Sequence, residues 1–262
     1  MVVVGTTSSG LLMRWSLHPL CDRLIVPDTG EPLEWTNGNL ISATGKQHVE
    51  LDRGEIPVLL PSSMNAVEYH FAEHYQRDAE HFDYWEERDP ATAHDERRLR
   101  EVIVRKIPRN ANLVLDVGCG TGASTLQIAD AVPQSRVWGL DISSAMLDQA
   151  RINAGDSDRL TFVHGDAGRL VDHFSMEFDA VIYSASIFLI PDYEESLKQA
   201  RRLLNPTGKV GITFMDGLYD EAGNNLVAEA DRIAGEGVSL NRAVKLREFR
   251  ATFKGLFPRS EE

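Results

Sequence analysis

The chain has 262 residues, enough to bury one full core and a small second unit. Its 42% apolar and 26% charged residues are ordinary for a globular protein, and 40 Asp and Glu against 27 Lys and Arg leave a net charge of −13. That field works against nonspecific attraction to nucleic acid or anionic membrane, and no apolar run approaches the roughly 20 residues that span a bilayer. Residues 1–10 place no basic side chain before their short apolar run, so neither secretion nor anchoring is expected. Of the two cysteines, Cys119 lies inside a glycine turn that pairing would distort. Both it and Cys21 are expected to be reduced, in a cytoplasmic protein.

Over residues 15–61 short apolar runs are broken by Pro19, Pro27, Gly30, Pro32, Gly38, Gly45, Gly54 and Pro57. This punctuation predicts a small β unit with hairpins. Between positions 62 and 89 there is no Pro or Gly, and the spacing predicts helix. There His70, His74 and His81 fall within about 40° of one another, beside Phe71, Tyr75, Phe82 and Trp85. Histidines at i and i+4 can share a metal, but a polar border beside a core-facing stripe is the preferred reading. A second helix over 92–107 carries Leu99, Val102, Ile103 and Ile107 at helical spacing and is expected to pack on a sheet. Its Arg97, Arg98, Arg100, Arg105 and Lys106, with nearby Arg109, read as a solvated basic face.

The centre of the chain is Leu113-Val114-Leu115-Asp116-Val117-Gly118-Cys119-Gly120-Thr121-Gly122, followed by Ala123-Ser124-Thr125-Leu126. It reads as buried strand, glycine turn and helix: the glycines allow a tight turn and keep side chains away from a ligand, and free N–H groups at the helix start favour an anion. Strand and helix patterns then alternate as a parallel α/β sheet requires. The next strand ends at Asp141, nineteen residues after Gly122, where a carboxylate can accept from both hydroxyls of a ribose. A third strand, Leu160-Thr161-Phe162-Val163-His164, runs into Gly165-Asp166-Ala167, and a fourth, Phe178-Asp179-Ala180-Val181-Ile182-Tyr183-Ser184, opens onto Ala185-Ser186.

The looser dinucleotide fingerprint is also satisfied, as Gly118-x-Gly120-x-x-Ala123. Against it, Asp116 would oppose a pyrophosphate, and a second acid follows the third strand. An acidic mouth suits a ligand with a cationic end: adenosine with a carboxylate, an ammonium and a sulfonium describes S-adenosylmethionine.

Those motifs, with Gly139-Leu140-Asp141-Ile142-Ser143-Ser144-Ala145-Met146-Leu147 and Leu203-Leu204-Asn205-Pro206-Thr207-Gly208-Lys209-Val210, occur in the order seen in class I S-adenosylmethionine-dependent methyltransferases. The resemblance covers residues 65–260 and implies a doubly wound, mostly parallel α/β sheet with helices on both faces, of Rossmann-like type. It implies that Asp116, Gly118, Cys119, Gly120, Thr121 and Gly122 flank the methionine part. Asp141 would bind the ribose with Ile142 against the adenine, Asp166 and Ala167 would meet the adenine edge, and Ser184 and Ala185 would line the methyl-transfer end. Cys119 is a small turn residue rather than a nucleophile, and Asp179, at a strand start, is structural. In such enzymes the helix before the first strand often closes over the cofactor, which makes Tyr75 and His74 candidate contacts.

Residues 15–61 are similar to the zinc-ribbon-like domain that occurs as a tRNA-methyltransferase activator and in front of many bacterial methyltransferases. In that family two Cys pairs hold zinc; here Cys21 keeps one position while Leu24, Ser42 and Gly45 stand near the others. One thiol cannot hold structural zinc, so a metal-free unit is expected. The expected organisation is therefore 15–61 as this unit, 62–109 as helical linker and cofactor lid, and 110–262 as the S-adenosylmethionine-binding domain.

Residues 209–215 read as the fifth strand and 224–234 as a helix, and Leu246, Phe249, Phe253 and Leu256 have helical spacing. The hairpin that finishes the family's sheet is not reached before Glu262. The fifth strand would then be an edge, covered by the terminal segment or by a second copy in a homo-oligomer, unless the sequence is a truncated version of a longer protein. The leading expectation is methyl transfer to a small molecule, with S-adenosyl-L-methionine as cofactor and neither nucleic acid nor membrane as partner. RNA methylation and non-catalytic cofactor binding are the alternatives. His70, His74, His81, His164 and Tyr183 qualify as bases by type, but spacing singles out none, and no catalytic residue is assigned.

Overall fold

The computed structural model describes residues 23–52, 56–62, 79, 90–213 and 246–258. The histidine-bearing stretch with Tyr75, the position of Cys21 and the expected helix over 224–234 lie outside these residues.

Strands β1 (Leu33–Thr36), β2 (Asn39–Ser42) and β3 (His48–Val49) form an antiparallel sheet, and β4 (Leu51–Asp52) pairs antiparallel with β5 (Ile56–Pro57). Asn37 and Gly38, both at positive φ, make the two-residue β1–β2 turn that hairpins favour. Of the positions that match zinc ligands in the resembled family, Leu24 is fully buried in the main core. Ser42 accepts a hydrogen bond from the Gln47 amide through Oγ at 3.1 Å, and Gly45 occupies a turn at φ 70°.

After α1 (Pro90–Val104) come β6 (Leu113–Val117), α2 (Ala123–Ala131), β7 (Arg136–Asp141), α3 (Ser144–Ala154), β8 (Leu160–His164) and β9 (Phe178–Tyr183). Helix α4 (Tyr193–Leu203), β10 (Leu204–Ile212) and α5 (Leu246–Leu256) complete the described chain. The five longer strands form a parallel sheet in the order β10-β9-β6-β7-β8. Strands β6, β7, β8 and β9 are mostly apolar because both faces are covered, with Asp116, buried, and Asp179, half-buried, as exceptions. Val114, Val137, Phe162, Ala180 and Ile182 face a core shared with α1, α2 and α3. Their neighbours Leu115, Trp138, Val163, Val181 and Tyr183 face a second core, shared with α4, α5 and the N-terminal β unit.

Two expectations are adjusted. Helix α1 buries Ile103 and Val104, but Leu99 is 43% and Val102 52% exposed, so the stripe against the sheet is narrower than its spacing predicts. Strand β10 begins at Leu204, five residues early, because Leu204 already pairs with Phe178 before an irregularity that ends at Lys209. At that irregularity a Cβ on Gly208 would lie 2.9 Å from the Phe178 carbonyl oxygen, so the close approach needs glycine. The terminal helix α5 packs on α4, through Phe249 against Tyr193 and Arg201 Nη1 donating to the Leu256 carbonyl at 2.6 Å, and Phe249 shares a core cluster against which Val210 and Ile212 of β10 also pack. Asp179 is structural as expected: it accepts from the Asn112 and Leu113 amides at 2.7 and 2.9 Å and from Asn205 Nδ2 at 2.6 Å, fastening the start of β6.

Candidate functional site

The strand order places β6 beside β7 on one side and β9 on the other, with the connections winding away in opposite directions. Ligands of such sheets bind in the crevice outside the carboxyl ends at this point. There the backbone turns at Gly118, Gly120 and Gly122, with φ of 68°, 52° and 86°, a region that disfavours any residue with a Cβ. The turn is fixed from two sides. The Gly118 and Cys119 amides donate to the Leu140 carbonyl at 2.8 and 3.1 Å, and the Gly120 amide donates to Asp141 Oδ2 at 2.8 Å.

Asp141 thus ties the turn to the end of β7, its Oδ1 accepting from the Ser143 amide at 3.0 Å. Burial pushes its carboxyl up, opposed by the Ser143 and Gly120 amides and by His164. A carboxylate has about four acceptor sites, so these bonds leave capacity for a diol. At Gly120 an added Cβ would meet nothing within 4 Å, so the turn is open on that side. Both features fit a ribose and its aliphatic extension.

Asp116 is wholly buried and points into the protein, where Ser124 Oγ and Thr125 Oγ1 each donate to its Oδ2 at 2.6 Å. Burial raises its carboxyl to about 6 against the two hydroxyl bonds, and its Oδ1 has no hydrogen-bond partner among the described residues. It braces the first turn of α2 from below. Cys119 is also buried, its Sγ in the core against Gly139, and burial, with Asp141 and Asp116, holds the thiol well above its ordinary range. A thiol kept protonated is no nucleophile.

Asp166 is 5% exposed and its Oδ1 accepts from the Gly168 amide at 2.7 Å, capping the short 3-10 helix Ala167–Asp172. The Ala167 carbonyl accepts from Ser196 Oγ at 2.7 Å. Ile142, half-buried, presents its carbonyl 2.9 Å from His164 Nε2. At the end of β9, Ala185 takes a left-handed φ of 53° and donates its amide to Thr213 Oγ1 at 2.6 Å. Beside it the Ser184 Oγ is buried without a hydrogen-bond partner among the described residues. Ser186 Oγ donates to the Val117 carbonyl at 2.5 Å, which pins this loop to the glycine turn.

Thus the expected residues on β6, β7, β8 and β9 all lie at one end of the sheet, with Asp116 and Cys119 beneath the turn. Ser186, Thr213, His164 and His173 shape the same end and carry no motif signal. Tyr183 is fully buried, its hydroxyl 2.9 Å from Ser196 Oγ, and burial raises its pKa, so it is no base.

A parallel sheet of this order, carrying a glycine turn and carboxylates on the next strand ends, belongs to the Rossmann-like class that binds nucleoside cofactors. Residues 114–208 match the family model described as a methyltransferase domain. The chain is 29% identical over 188 residues to the 27-O-demethylrifamycin SV methyltransferase of Amycolatopsis mediterranei, a match covering 70% of this chain and 68% of that protein. It is 35% identical over 115 residues to a demethylmenaquinone methyltransferase of Staphylococcus aureus, covering 44% of this chain and 46% of that protein. The chain therefore spans less than half the length of the second relative. Among solved structures, the YcgJ protein of Bacillus subtilis superposes with a TM-score of 0.50 at 19% identity, over 61% of this chain and 68% of that one. Residues 114–208 thus carry a methyltransferase domain, and S-adenosyl-L-methionine is its co-substrate.

Proposed function

We propose that this protein transfers a methyl group to a small organic acceptor by in-line displacement. The observation that carries the reading is the joint placement of the open glycine turn, Asp141 and Asp166 at the carboxyl ends of three adjacent strands. The names of the relatives, which are methyltransferases of small organic compounds, and the net charge of −13 support a small acceptor over RNA. No helix among the described residues is long and apolar enough to cross a membrane, and we place the protein in the cytoplasm, where Cys119 stays reduced.

S-adenosyl-L-methionine supplies a methyl carbon already activated by positive sulfur, so the chain has chiefly to align and to exclude water. In this reading Asp141 accepts from the ribose hydroxyls, and Ile142, Asp166 and Ala167 border the adenine. The backbone from Gly118 to Gly122 passes the methionine part, and Ser184 and Ala185 line the mouth where the acceptor approaches.

Calorimetry with S-adenosyl-L-methionine on the wild type and Asp141→Ala tests the cofactor site. The variant is expected to lose at least about 100-fold in affinity, since it forfeits charged hydrogen bonds to ligand and turn alike. Equal binding by the two proteins would sink the assignment. Transfer of labelled methyl to metabolite pools, and none to RNA, is the expected outcome for the acceptor class.

A further inference from the structure

We infer that His164 and His173 are positioning residues through which the N-terminal β unit sets the two loops at the adenosine end of the site. The inference rests on the cofactor-site reading above. Each histidine faces two ways. The carbonyl of His164 accepts from the Leu59 amide at 2.7 Å, next to a parallel bridge between Val58 and His164, while its Nε2 lies 2.9 Å from the Ile142 carbonyl. The carbonyl of His173 accepts from the Ile25 amide at 3.1 Å, next to the Leu24–Phe174 bridge. Its Nε2 lies 3.0 Å from both the amide nitrogen and the carbonyl oxygen of Asp166.

Main chain holds the N-terminal unit, and ring holds the cofactor loop, in both residues. Ile142 follows the ribose-binding Asp141, and Asp166 borders the adenine, so the two rings reach the two loops that the adenosine end needs. Burial favours the neutral form of both rings, which suits a bond to a backbone carbonyl or amide rather than to a charge. The packing around His173 is close, since a Cβ on Gly165 would fall 3.1 Å from its Nε2. Loops tethered in this way are preorganised, and preorganisation is read directly as ligand affinity.

The test uses the full chain with His164→Leu and His173→Phe, which keep an apolar side chain and remove the ring nitrogens. Leu59→Pro leaves both rings and removes the amide that bonds His164. Each is expected to weaken binding of S-adenosyl-L-methionine about threefold to tenfold, the worth of one or two hydrogen bonds, and to weaken 5′-methylthioadenosine by the same factor. Amide exchange should quicken at Ser143 and Gly168. His164→Gln, whose side-chain amide can still donate to the Ile142 carbonyl, should recover most of the loss, which a merely structural role would not predict. If the wild type binds the cofactor and the His164 and His173 variants bind within twofold of it, this inference alone is overturned, whatever their melting temperatures. A wild type that binds neither compound overturns the cofactor reading and this inference with it.

Discussion

Asp116 keeps a carboxylate wholly inside the protein, with two hydroxyls on one oxygen and none on the other. Its folded-state pKa of about 6 lies above the ordinary 3.8, so its contribution to stability is full below about pH 3.8 and is lost as the pH rises through 6. Asp116→Asn keeps an acceptor for Ser124 and Thr125 but titrates nothing. Denaturant unfolding from pH 4 to 7 should therefore show the wild type losing on the order of 3 kcal/mol relative to the variant. A pH-independent difference between the two would refute the assignment. At Gly118 the strain is steric. A Cβ there would stand 2.6 Å from the Ser186 Cβ on a backbone at φ 68°, so Gly118→Ala should cost about 2–4 kcal/mol in unfolding free energy. Because Ser186 anchors the loop after β9, the same variant should also weaken cofactor binding.

Among the elements, α3 and α5 show two ways in which a sequence fixes a helix. Helix α3 starts where Ser143 Oγ accepts from the Met146 amide at 3.3 Å and stops at Gly155, which turns at a positive φ of 58°. Both signals are local. Helix α5 depends on one face: Phe249 is 6% exposed, with its ring 5.8 Å from that of Tyr193 and 5.9 Å from that of Phe253. Phe249→Ala should remove about 3–5 kcal/mol, read as a lower denaturant midpoint, with less effect if the C-terminal helix melts ahead of the sheet.

For the molecule as a whole, the N-terminal strands share a core with the parallel sheet. Leu24, Leu33, Leu40 and Leu59 lie in the same buried cluster as Trp138, Phe174 and Phe178. Phe174 sits at its centre, edge-on to both Trp138 and Phe178. The surface link of Arg169 to Asp172 and Asp28 adds little, because exposed pairs are screened. Unfolding followed by Trp fluorescence and by circular dichroism should therefore coincide in one transition, and Leu24→Ala should lower it by about 2–5 kcal/mol. Two separate transitions would show that the N-terminal unit folds on its own.

Sequence alone determined the parallel sheet, the glycine turn and the positions of Asp141 and Asp166, because each rests on short-range rules. Doubly buried strands are largely apolar, a left-handed turn needs glycine, and an acid at a strand end follows its strand. The structure decided what depends on distant residues. Leu99 and Val102 have core spacing but face outward, since helical period fixes which residues share a face and not how much of it is covered. Asp116 stands in a ligand motif, yet its orientation is set by Ser124 and Thr125 on the next helix. His164 and His173 carry no motif at all. Their place at the adenosine end arises because Leu59 and Ile25, more than a hundred residues earlier, bond to their carbonyls, a pairing that no local pattern encodes.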